Sequence, residues 1–315
     1  MQPAEQKPDI CLFRSGALGD SILMLPTVHH LARAMPDASL LWIGGRHLPP
    51  ICAMDGVSWQ PADYDSGDFT PLFSRSPSGP PPVLGQTQLA VVYTSEPDGR
   101  LVHNLRSGIK GKVITHPVSP PAGCHAARHY MRAVTDRRQI ASAAPTLNPP
   151  EGTIRDTRSW LTHSTDSASP VAIIHPGSGS MRKCWPAEKF HALTANLLDR
   201  GISPILLEGP ADSAQCRDIG SEFHDVPVFR SHDIQRTTAL LHLADICICN
   251  DSGIGHLSGA SRCDTLSIFG PTDPHVWRPV GPTVRVITGS GSNTWPSAPE
   301  VTSRVLQMLG RGNTS

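Results

Sequence analysis

No uninterrupted apolar run in this sequence reaches the roughly 18 residues that a membrane-spanning helix needs, so no spanning helix is expected. Neither sign of charge is in surplus. The 27 Lys and Arg balance 27 Asp and Glu, which leaves no global field to draw the chain to nucleic acid or to an anionic bilayer. Any anionic partner has to be met by a local patch. The N-terminal stretch MQPAEQKPD lacks the basic and then apolar layout of a secretory signal, and a cytoplasmic protein is the expectation. Eight cysteines are present but scattered through apolar segments, without the framework spacing of a small secreted domain. Cys247 and Cys249, two apart in ICIC, share one face of a strand and lack the spacing of a paired-knuckle zinc site, so packing is expected there and no metal. No GxGxxG with a trailing ribose-binding acid follows the first apolar strand, which argues against a dinucleotide oxidoreductase. Walker spacing and a solenoid repeat are also missing.

What is present suits a folded protein of two domains: 315 residues, 38% hydrophobic and 17% charged, enough to bury substantial cores. A short apolar strand over 10–14 runs into the small-residue loop Ser15-Gly16-Ala17-Leu18-Gly19, and Asp20 opens an amphipathic helix toward Met35. Further strands are expected over 40–43, 89–93 and 112–115. Pro, Gly and Ser concentrate between Pro61 and Gln86, which reads as a long loop. After a stretch rich in Ala, Ser, Thr and Pro, in which 154–161 suits a short helix, strands at 171–174, 204–207, 246–249 and 265–269 alternate with helices at 187–199, 211–219 and 234–243, and a last strand is expected over 284–287. Such alternation implies an α/β protein with a parallel sheet covered by helices. The expected division is a first domain over 1–150, a linker over 151–170, a second domain over 171–295 and a C-terminal helix within 296–315.

Three loops carry residue types suited to chemistry. In RSGALGD, Asp20 is either the cap of the first helix or an acid facing a cleft, because open α/β sheets bind ligands at the carboxyl ends of their strands. In HPGSGSMRKCWP, from His175 to Pro186, Gly177 and Gly179 would let backbone amides approach a diphosphate, with Ser178 as a hydroxyl donor and Lys183 as a point charge. The plainer reading of that loop is a tight turn with two solvated cations. In NDSGIGHLSGAS, from Asn250 to Ser261, Ser252 and Gly253 begin a helix whose amides would face an anion. There Asp251 is otherwise a cap and His256 a satisfied core histidine. All three loops follow strands, so they can converge on one cleft.

These motifs, LGDSILMLPTVHHLARAMPDASL from Leu18, HPGSGSMRKCWPAEKFHAL from His175 and NDSGIGHLSGASRCDTLSIFGPTDP from Asn250, resemble glycosyltransferase family 9, the family of the lipopolysaccharide heptosyltransferases. The resemblance implies a GT-B fold: two Rossmann-like domains facing a central cleft, the first taking the acceptor and the second the nucleotide sugar, with the C-terminal helix crossing back to the first domain. It implies an inverting transfer with neither metal nor cofactor, from a nucleoside-diphosphate sugar such as ADP-heptose. By the same resemblance Asp20 is the general base, and Ser178, Gly179, Lys183, Asp251, Ser252, Gly253 and His256 hold the donor. Ile254-Gly255 stands where Pro-Met is common between the glycine and histidine of the last motif.

One charged stretch remains. Arg100, Arg106, Lys110, Lys112, Arg128, Arg132, Arg137 and Arg138 share a segment whose one acid is Asp136. It is either a solvated face or a dock for an anionic glycolipid at the inner membrane face, with Arg128 and Arg132 as the acceptor-binding pair. Two rival readings use the same architecture: a sugar-nucleotide epimerase-like enzyme, and a non-catalytic nucleotide-binding protein.

Overall fold

The computed structural model describes residues 8–75, 81–135, 144–166, 168–210, 212–291 and 294–310. It divides into two units, Met1–Ala143 and Ala144–Ser315. Among the described residues no helix is long and apolar enough to cross a membrane.

In the first unit the order is β1 (Ile10–Phe13), α1 (Leu18–Ala34), β2 (Leu40–Gly44), α2 (Leu48–Asp55), β3 (Gln60–Asp63), β4 (Leu89–Tyr93), α3 (Arg100–Gly108), β5 (Lys112–His116) and α4 (Ala126–Met131). All described pairings are parallel, in the sheet order β3-β2-β1-β4-β5. The central strand ICLF is buried along its whole length, as a parallel strand covered on both faces must be. Cys11, Phe13, Ile43, Val92 and Leu105 meet in one core. The stretch expected as one long loop is only partly that: Pro61 lies in the edge strand β3, where its missing N–H costs no ladder bond, and Phe69, Leu72 and Leu84 anchor two short 3-10 turns in the core.

The second unit runs α5 (Glu151–Ser164), β6 (Val171–His175), α6 (Ala187–Leu198), β7 (Ser203–Glu208), α7 (Ser213–Glu222), β8 (Val228–Arg230), α8 (Ile234–Leu243), β9 (Ile246–Asn250), α9 (Gly253–Ala260), β10 (Asp264–Phe269), α10 (Pro274–Trp277), β11 (Val284–Thr288) and α11 (Ala298–Met308). Its parallel sheet has the order β11-β10-β9-β6-β7-β8. Each sheet therefore starts in its middle and reverses direction there, between β1 and β4 and between β6 and β9, the doubly wound Rossmann arrangement. Ligands of such sheets bind where the order reverses, beyond the strands' carboxyl ends.

Two expectations need correction. The expected linker over 151–170 contains α5, which buries Thr157 and Leu161 and packs against α8, with Trp160 edge-on to Phe229 at 4.8 Å. A short helix over 154–161 was within the sequence's reach, and the structure extends it to Glu151–Ser164. The C-terminal helix, expected to pack on the first domain, is part of the second unit. Ala298, Val301 and Val305 enter the second core against α6 and β10, and a Ser297–Glu300 capping box starts the helix.

Candidate functional site

In the first unit four residues separate the end of β1 from the start of α1, and that turn sets Asp20 against Arg14, the residue after the strand. Asp20 is the third residue of α1 rather than its N-cap, a place held by Ala17. Its Oδ2 accepts the Ala17 amide at 3.2 Å, the contact of a helix start. Its Oδ1 accepts from Arg14 Nη2 at 2.8 Å and from the Tyr130 hydroxyl at 3.1 Å. Arg14 is buried, also donates from Nη2 to the Tyr130 hydroxyl oxygen at 3.0 Å, and lies over the Tyr130 ring at 5.1 Å from its centroid. Burial pushes the Tyr130 phenol up to about 12, so it stays a proton donor to the carboxylate. A carboxylate has about four lone-pair sites, and three are engaged here. With its side chain still 24% exposed, Asp20 keeps one site for an incoming proton.

Gly16 makes this arrangement possible, since a Cβ there would stand 2.8 Å from Arg14 Nη1 and 2.9 Å from Asp20 Oδ2. Beside it Ser21 Oγ meets His47 Nε2 at 2.6 Å; burial lowers the His47 pKa, against the opposing pull of Asp20. The short helix α4 turns Tyr130 inward and leaves Arg128 and Arg132 exposed. Of the other basic residues, Arg100 donates to the Phe73 carbonyl and Arg106 lies 3.9 Å from exposed Asp98. Arg137, Arg138 and Asp136 lie outside the described residues.

In the second unit the loops after β6 and β9 interlock. Asn250 Nδ2 donates to the Pro176 and Gly177 carbonyls at 2.7 and 3.2 Å, and its Oδ1 accepts the Trp185 amide at 2.9 Å. Ser178 Oγ donates to the Asp251 carbonyl at 2.8 Å. Lys183 Nζ stands 2.9 Å from Asp251 Oδ2, a carboxylate that also accepts from Thr272 at 2.8 Å. Asp251 is buried while Lys183 keeps 34% of its side chain exposed, so the cation is held in place and still reachable. Ser252 is the N-cap of α9, Gly253 its first residue, and His256 is buried within it.

Sequence reasoning missed a third loop. Asp212, after β7, accepts from the Gly209 amide at 3.2 Å and from His175 Nε2 at 2.9 Å, and His175 Nδ1 faces Ser252 Oγ at 3.5 Å. Burial alone would raise the Asp212 pKa, but the bonds from His175 and Gly209 outweigh it and hold the group below its usual value. Gly177 has a different reason from the expected one: a Cβ there would fall 1.7 Å from Asp212 Oδ1, so its bareness admits Asp212. At Gly179 a Cβ would stand in open space.

A family model, glycosyltransferase family 9 (heptosyltransferase), matches residues 122–304, more than half of the chain. The chain belongs to that family. This family 9 transferase is 26% identical over 287 residues to lipopolysaccharide heptosyltransferase 1 of Pseudomonas aeruginosa, a match covering 84% of the chain and 79% of the relative. It is similar in structure to the glycosyl transferase family 9 protein of Veillonella parvula, with TM-score 0.78 at 15% identity over 98% of both chains. The E. coli ADP-heptose LPS heptosyltransferase II gives TM-score 0.73 at 17% identity over 96% of this chain and 97% of that one. The shared fold is GT-B. Family membership makes the chain a glycosyltransferase of the lipopolysaccharide heptosyltransferase family and sets aside the epimerase-like and non-catalytic readings.

Within this transferase, the structure brings Ser178, Lys183, Asp251 and Ser252 together, and it places Asp20 in a separate cluster of the first unit. The loop pattern marked these residues out. Arg14, Tyr130, His175 and Asp212 escaped it, and only the short RSGALGD spacing from Arg14 to Asp20 carried a local signal.

Proposed function

We propose that this transferase moves a heptose from ADP-heptose to a sugar of the lipopolysaccharide core, with inversion and without a metal, Asp20 acting as general base. The observation that carries the reading is the Asp20 carboxylate, fixed by a buried Arg14 and Tyr130 yet open on one side. Asp20 takes the proton of the acceptor hydroxyl as its oxygen bonds the anomeric carbon, while the bond from that carbon to the diphosphate oxygen breaks. Charge then gathers on the departing ADP. In the second unit Lys183, released from Asp251, and the amides at the start of α9 meet that charge, the work a divalent cation does in other transferases. The E. coli neighbour named for ADP-heptose supports the choice of donor. Arg128 and Arg132, exposed on and just after α4, suit an anionic glycolipid acceptor at the cytoplasmic face of the inner membrane.

Replacing Asp20→Asn keeps the shape of the helix start and removes the base. Turnover of ADP-heptose onto a lipopolysaccharide core acceptor should fall by about two to four decades with ADP affinity unchanged. Steady-state kinetics and ADP calorimetry decide it, and wild-type turnover in the variant would reduce Asp20 to a helix cap.

A further inference from the structure

Three hydroxyls border the candidate donor loops, and each has its single hydrogen turned inward. Ser178 donates to the Asp251 carbonyl at 2.8 Å, and a carbonyl gives nothing back. Thr272 donates to the Asp251 carboxylate at 2.8 Å. Ser252 is governed by the buried chain behind it. The Asp212 carboxylate only accepts, so His175 Nε2 carries the ring proton that fills their 2.9 Å contact. His175 Nδ1 is then the acceptor, and the Ser252 hydroxyl 3.5 Å away supplies the hydrogen.

The chain spans three strand ends. His175 closes β6, Asp212 follows β7 and Ser252 follows β9; all three are buried, and the bare Gly177 leaves Asp212 the room to reach His175. What these hydroxyls can show a ligand is therefore oxygen lone pairs. A diphosphate has only acceptors to offer and finds no partner in them, whereas a sugar hydroxyl finds one.

From this we infer that Asp212 and His175 are positioning residues that fix Ser252 as a hydrogen-bond acceptor for a hydroxyl of the nucleotide sugar, leaving the diphosphate to Lys183 and backbone amides. The inference rests on the donor reading proposed above and moves the Ser178 hydroxyl, expected to donate to the diphosphate, to the polyhydroxylated part of the donor together with that of Ser252. Ser178 and Thr272 act in the same sense.

The test is calorimetry of wild type and Ser252→Ala with inorganic diphosphate, ADP and ADP-heptose, each in two buffers of different ionisation enthalpy. Ser252→Ala should keep diphosphate affinity within about twofold and weaken by about five- to tenfold the ligand that brings the hydroxyl. If the hydroxyl belongs to the ribose, the loss starts with ADP; if it belongs to the transferred sugar, it is seen with ADP-heptose alone. Wild type should take up no proton with diphosphate. Equal losses on all three ligands, or no loss on any, overturn the inference. So does uptake of about one proton by wild type and not by the variant, because that proton would sit on His175 Nδ1 and turn the Ser252 hydrogen toward the phosphate. A wild-type chain that binds none of the three overturns the donor reading itself.

Discussion

Tyr130 touches Asp20, the proposed base, and its Arg14 counter-charge at once, and removing its oxygen alone isolates that contact. Tyr130→Phe keeps the ring beneath the Arg14 guanidinium and deletes the donor to Asp20 Oδ1. A hydrogen bond to a charged group contributes about 1.5–3 kcal/mol, so kcat should fall by roughly 10- to 100-fold with the donor KM unchanged if the bond orients the carboxylate in the transition state. An unchanged kcat would leave Tyr130 a packing residue. The sequence exposed Asp20, Lys183 and Asp251 because each sits in a strand, loop and helix-start pattern readable within a dozen residues. It hid Tyr130, which meets Asp20 across 110 positions, and Asp212, which meets His175 across 37. No local periodicity reports such distances.

At the level of elements, strands such as ICLF and ICICN were legible because a parallel strand buried on both faces has to be apolar throughout. The helices missed were the short ones: α4 has six residues, and α3 shows only Val102, Asn104 and Leu105 to the core. Between α6 and α7 lies a titratable clamp, His191 held by Glu222 and, at 3.3 Å, by Asp218. Burial alone would lower the His191 pKa, but the two carboxylates prevail and raise it. A pKa raised in the folded state gives stability that is full below the unfolded value of about 6.5 and is lost as pH climbs through the folded value. The carboxylates are more than half exposed, so the gain is small. Wild type should lose more Tm than His191→Gln between about pH 5.5 and about pH 8.5. Parallel melting curves of the two proteins would remove the clamp from the account.

Over the whole molecule, charge balance sharpens one expectation. With 27 cations against 27 anions, salt has no global field to screen, so any ionic-strength effect on the acceptor has to come from a local patch. Arg128→Glu with Arg132→Glu should raise the acceptor KM and spare ADP binding, and the wild-type acceptor KM should climb with salt. A KM indifferent to both would point to a neutral acceptor. The second unit was the more legible half, and the family match over 122–304 falls mostly there. In the first, the strands over 89–93 and 112–115 were legible, but none of the three family motifs falls between Trp59 and Ala141. The strand order has one further consequence, on the ribosome. β6 is made before its partner β9, and the contact between Pro176 and Asn250 spans 74 residues. At about 5–20 residues per second, roughly 4–15 s of synthesis pass before β9 exists. For that interval one apolar edge of β6 stands unpaired, so slow codons between the two strands should lengthen the exposure and lower the soluble yield without changing a single residue.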